Sequence, residues 1–172
     1  QIFSYDGVIN YFLWTYFKYD APSWITNPDY ALGTLVLLAA WQFGAPMVIF
    51  LAGLKQIPQD MYDAAAIDGA RPVQQFFYVT IPLLTPIIFF NFVMQTIGSF
   101  QAFTPSYIIS DGSGGPADAT LFYTLYLYEQ AFTDFQMGYA SAIAWVLVGI
   151  IAIATSISFL SAKYWVHYGD QE

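Results

Sequence analysis

Three long stretches without a single Asp, Glu, Lys or Arg constrain this chain more than any other feature. They are residues 30–54, 72–110 and 135–162, of 25, 39 and 28 residues. A helix rises about 1.5 Å per residue, so roughly 20 apolar residues cross a hydrocarbon core of about 30 Å. Each gap exceeds that length. Ala31–Leu54, Ile81–Phe103 and Met137–Ala162 are dominated by Leu, Ile, Val, Phe and Ala. One such run would suit a buried helix of a large soluble protein. Three in 172 residues, only 9% of them charged, predict an all-α polytopic membrane protein with about three transmembrane helices.

The segments between the spans follow from this reading. Residues 1–30 are aromatic and turn-rich (Asp20-Ala-Pro, Asn27-Pro-Asp), with a short helix over Val8–Phe17 whose rings suit the headgroup zone. The expected order is an external loop at 1–30, a span at 31–54, a cytoplasmic loop at 55–77 and a span at 78–104. An external loop and helix at 105–135, a span at 136–163 and a cytoplasmic tail at 164–172 complete it. Leu121–Phe132 holds enough Tyr, Phe and Thr to suit a strand, but a helix on the membrane surface is expected. Lys55, Arg71 and Lys163 fall on one side of three spans and Lys18 on the other. An excess of Lys and Arg marks the cytoplasmic side, which sets this orientation.

Several functions are excluded by what is missing. A net charge of −8 leaves no basic footprint for nucleic acid. Without cysteine there is no disulfide or thiol chemistry, and His167 alone makes no multi-His metal site. No Gly-x-x-x-x-Gly-Lys-Ser/Thr occurs, so ATP is not bound through a P-loop; Gly112-Ser-Gly-Gly-Pro116 has no following Lys and is a turn. No Gly-x-Ser-x-Gly elbow occurs either. No catalytic residue is assigned. No carboxylate lies inside an expected span, so a channel or ion-coupled transporter, the alternative reading, lacks its usual charged groups.

The loop from Gln56 to Pro72 is the most informative stretch. Pro58 suits the first turn of a helix, Asp60 the positive end of its dipole, and Gly69 a left-handed stop. A helix of about three turns is expected between two spans. Its middle, Ala64-Ala65-Ala66, lets another surface approach the backbone closely, with Asp63 and Asp68 at the edges. From the residues alone it is a plain connector or a docking knob.

Asp63-Ala-Ala-Ala-Ile-Asp-Gly-Ala70 followed by Val79-Thr-Ile-Pro82-Leu-Leu-Thr-Pro86 resembles the EAA signature of ABC importer permeases. The likeness is to the carbohydrate-uptake family with the maltose and glycerol-3-phosphate permeases. Trp24-Ile-Thr-Asn-Pro28, Leu51–Pro58, Gly114-Gly-Pro116 and Phe132–Ala142 are similar to its other landmarks. Asp63 stands where the family usually has Glu. The resemblance implies a type I importer permease fold, of which this chain is the C-terminal part, with a cytoplasmic coupling helix at about Pro58–Asp68. It implies ATPase coupling through Asp63, Ala64, Ala65, Asp68 and Gly69. It also implies a cytoplasmic ATP-binding subunit dimer that holds ATP and magnesium, a second and different permease subunit, and an extracytoplasmic solute-binding protein. No cofactor is expected on this chain, and its setting would be the lipid bilayer of a bacterial or archaeal cytoplasmic membrane.

Polar residues inside spans mark the expected substrate path. Asn91, Gln95 and Ser99 recur at i, i+4 and i+8 on one helix face. Gln42 beside Trp41 is the main polar group of the first span. Amides and hydroxyls can pair with sugar hydroxyls, though bonds between helices would use the same residues. Gly44-Ala-Pro46, Pro82 and Pro86 predict kinks, as hinges or as fixed bends.

Overall fold

The structure, a computed structural model, describes residue 3, residues 7–19 and residues 22–167. All regular structure among them is helical, and three helical stretches are long and apolar enough to cross a membrane: Pro28–Gln56, Pro72–Ser110 and Met137–Trp165. The chain divides into two compact units, Gln1–Gln42 with Phe100–Val148, and Phe43–Ser99 with Gly149–Glu172.

In the first unit, α1 runs over Val8–Phe17 and ends at Lys18, whose φ of 53° stops the helix and places its ammonium 4.7 Å from the Trp14 ring. Tyr11, Phe12, Trp14, Tyr16 and Phe17 are exposed, as expected of an interfacial helix, while buried Asn10 accepts the indole N–H of Trp24. The expected turn at Asp20-Ala21 lies outside the described residues. Helix α2, Pro28–Trp41, starts where Asn27 Oδ1 accepts the Asp29 N–H at 3.0 Å and Pro28 sits at the first helical position. There a missing N–H costs nothing.

The rest of that unit is a connection knitted by hydroxyls. Helix α7, Thr104–Ser110, lies where a loop is expected from the sequence, and α8, Tyr123–Tyr128, passes into a π-helical turn at Glu129–Thr133. The Leu121–Phe132 region is therefore helix and not strand. Buried Ser106 donates to the Thr120 carbonyl, Thr120 Oγ1 to Gly115 O at 2.8 Å, and Tyr123 OH to Ile143 O at 2.7 Å. Phe103, Tyr107, Tyr128 and Phe132 form a chain of ring contacts with centroids 5.0–5.5 Å apart. The Tyr126 phenol is held above its ordinary value, first by a hydrogen bond with Tyr139 and then by burial.

In the second unit, α3 spans Gly44–Gln56. The expected span at 31–54 is thus interrupted: α2 ends at Trp41 and Gln42 and Phe43 form a turn. Pro46 falls in the first turn of α3, where it has no helical partner to lose. Short helix α4 is Gln59–Ile67, with Pro58 preceding it as the N-cap and Asp68 following it, so it is slightly shorter than the expected Pro58–Asp68. Helix α5, Pro72–Gln75, a π-helical turn at Phe76–Thr80 and α6, Ile81–Phe100, follow without interruption. The π turn lies just before Pro82, whose ring nitrogen cannot donate, and Ile81 N–H bonds back five residues to Phe76 O. Helix α9, Met137–Trp165, which belongs to this unit from Gly149 on, is 29 residues or roughly 43 Å long. Its Ser156 and Ser158 hydroxyls donate to carbonyls four residues back at 2.7 and 2.9 Å, satisfying polar groups that lipid cannot.

A close contact fixes α3 against α6. A Cβ on Gly53 would lie 2.0 Å from Ile87 Cδ1 and 3.1 Å from Leu84 Cδ2. Phe89 and Val93 of α6 pack with Ala162 of α9, and Phe89 stacks edge-on to Phe159 and Trp165.

Candidate functional site

The connector α4 is built to end sharply and to stand out. Gly69 N–H bonds Ala66 O at 3.0 Å and Ala70 N–H bonds Ala65 O at 2.9 Å. With Gly69 at φ +82°, this is the paired-bond stop that a left-handed residue after a helix allows. Pro72 then opens α5, and Arg71 N–H donates to Gln74 Oε1 at 2.8 Å.

Only one line of α4 touches the rest of the chain. Tyr62 and Ala65 are half-buried and every other residue of the helix is exposed. The Tyr62 hydroxyl lies 2.9 Å from Thr80 Oγ1, and Thr80 is buried at the start of α6. Gln75 Nε2 donates to Ala70 O at 3.3 Å and to Tyr62 O at 3.4 Å. The connector is therefore hydrogen-bonded to the foot of a long apolar helix.

The opposite face is exposed. Asp60, Asp63, Ala64 and Ile67 recur at i, i+3, i+4 and i+7, which places them on one face. Ile67 is 87% exposed, far more than an apolar side chain in a polar loop needs to be. Asp63 is steadied by Gln59 Nε2 at 3.2 Å. Ala64, Asp68 and Gly69 are exposed, and Ala65 belongs to the inward line. Sequence reasoning passed over Ile67 and Tyr62. A bulky apolar residue one helical turn from an acidic one was the signal for the first. Tyr62 had none, because its partner is 18 residues away.

The five polar candidates divide between the two units. Trp41, 88% exposed, and Gln42 belong to the first unit, whereas Asn91, Gln95 and Ser99 belong to the second. Asn91 is buried and its Nδ2 donates to Ile87 O at 3.0 Å on its own helix. Ser99 likewise donates to Thr96 O at 2.8 Å, and Gln95 is exposed. Among the described residues no group of three or more His, Cys, Asp or Glu side chains converges as metal ligands.

Helix α4 is exposed and tied to the foot of a span, and comparison with known proteins supplies the family. The family model described as "Binding-protein-dependent transport system inner membrane component" matches residues 7–167. The chain belongs to this family. It is a multi-pass membrane protein with the all-helical fold of the type I importer permeases. It is 57% identical over its whole length to the probable ABC transporter permease protein YesP of Bacillus subtilis, of which it covers 56%. To the lactose transport system permease protein LacF of Rhizobium radiobacter it is 34% identical over 95% of its length, covering 56% of that protein. To the arabinooligosaccharides transport system permease protein AraP of Bacillus subtilis it is 35% identical over 79%, covering 44%. The chain thus spans about half the length of these relatives.

Proposed function

We propose that the chain forms part of the membrane path of a binding-protein-dependent ABC importer for sugars in a bacterial or archaeal cytoplasmic membrane. A separate cytoplasmic ATP-binding subunit, carrying ATP and magnesium, docks on α4. The observation that carries this reading is the outward face of α4, where Ile67 projects between carboxylates on a helix bonded through Tyr62 to α6. That face suits a cleft with an apolar floor and a basic rim. Loop 55–77 and the tail then lie in the cytoplasm, where Lys55, Arg71 and Lys163 favour them. A second permease subunit and an extracytoplasmic binding protein complete the assembly.

The relatives' names support sugar as the cargo, LacF being a lactose permease and AraP an arabinooligosaccharide permease. Gln95 and Ser99 are the candidate polar groups of α6 that remain exposed to meet it; Asn91 is buried, with its amide turned back on its own helix. The test is purification of the full-length protein from native membranes in mild detergent, with its companions identified by mass spectrometry. A P-loop ATPase in stoichiometric amount, lost when Ala64 and Ile67 are replaced by Arg, supports the reading. A chain recovered alone or only with itself overturns it in favour of a channel or secondary transporter.

A further inference from the structure

The foot of α6 carries a second joint, on the side away from α4 in sequence. Pro86 has no N–H, so the Pro82 carbonyl one turn back lacks its helical partner. The Thr85 hydroxyl fills that gap, donating to Pro82 O at 2.6 Å. Thr85 Oγ1 in turn accepts the backbone N–H of His167 at 2.9 Å, two residues past the end of α9 at Trp165. Thr85 is buried, and its one proton and one of its lone pairs are both committed. One side chain thus repairs the proline gap in α6 and holds the end of another helix.

We propose that Thr85 is the positioning residue through which displacement of α4 reaches α9. The route runs from Tyr62 to Thr80, along the first turns of α6 to Thr85, and across to the His167 N–H. This inference rests on the docking of an ATPase to α4. Thr80 and Thr85 are separated by a helical rise of about 7.5 Å, short enough to move as one body. The ring contacts of Phe89 with Phe159 and Trp165 are non-directional and permit sliding. A hydrogen bond in low dielectric is directional and does not. The bond from His167 therefore sets the register of α9 on α6, and the rings supply adhesion.

The experiment uses the complete transporter in proteoliposomes with its ATPase and binding protein, measuring substrate taken up per ATP hydrolysed. In a transporter freed of any other cysteine, Ala66→Cys and Lys163→Cys, both exposed, carry spin labels that report whether α4 and the end of α9 move together on ATP binding. Thr85→Val is expected to lower uptake per ATP about five- to tenfold, the scale of one lost hydrogen bond, and to abolish the correlated distance change. Thr85→Ser keeps the hydroxyl and should retain both. His167→Pro removes the backbone donor and leaves the Thr85–Pro82 bond in place, and its fixed φ falls beyond α9, which ends at Trp165. It is expected to lower uptake per ATP about five- to tenfold by itself, so the test stands if the valine variant fails to assemble, while His167→Ala should behave as wild type. A wild-type complex that couples normally, beside a His167→Pro complex with unchanged stoichiometry and distance change, overturns the relay alone. A wild-type chain that assembles with no ATPase overturns the docking reading and the relay together.

Discussion

The segment 101–136 and the segment 57–80 both join apolar helices, yet they are made in opposite ways. The first satisfies itself. Ser106, Thr120 and Leu125 are its fully buried side chains, its hydroxyls bond its own carbonyls, and four aromatic rings close over one another. The second keeps a few ties through Tyr62 and Gln75 and leaves Met61, Ile67, Val73, Phe76 and Phe77 exposed. A connection that spends its polar groups internally holds a fixed shape. One that leaves apolar side chains outside presents a surface for something else to cover, which for α4 is the ATP-binding subunit proposed above.

The contrast should be breakable by substitution. The largest effect is expected for Gly114→Val in the self-satisfied segment, since its Cβ would fall 2.8 Å from Leu121 Cβ at a φ of +69°. A loss of about 2–4 kcal/mol is expected, seen as a fall in thermal unfolding temperature in detergent. Ser106→Ala removes one of the two donors to the Thr120 carbonyl, the Phe122 N–H at 2.9 Å remaining, and should cost about 1.5 kcal/mol in the same assay. Gly69→Val, where there is room for a side chain but φ is +82°, should cost only about 1–2 kcal/mol. Its transport should nevertheless fall further than its stability, and Gly69→Asn should recover much of both. Ile67→Ser should shift stability by less than about 0.5 kcal/mol, as for an exposed site. If it also leaves ATPase recovery unchanged in a pull-down, the asymmetry between the two connectors has no functional meaning.

Much of this was legible without coordinates. The charge gaps located three apolar helices, because a bilayer admits only backbone that satisfies its own hydrogen bonds. Gly69 announced its left-handed stop because no other residue takes φ +82° as freely. The interruption at Gln42–Phe43 was foreshadowed by Gly44-Ala-Pro46 but falls just before them, since proline is tolerated inside the first turn of a helix. Less visible was the fate of Asn91. Its spacing with Gln95 and Ser99 put it on a shared polar face, yet its amide turns back to Ile87 O, a choice of rotamer that spacing does not encode.

Sequence by itself determined the membrane, the helices and the acidic, alanine-rich connector, because each follows from composition and short-range periodicity. Tertiary structure decided which side of α4 faces inward, that Tyr62 meets Thr80, and that Thr85 serves both Pro82 and His167. Those pairings join residues up to 82 positions apart. Such contacts depend on how apolar helices seat against one another, through positions such as Gly53 against Ile87, and local pattern carries no record of that seating.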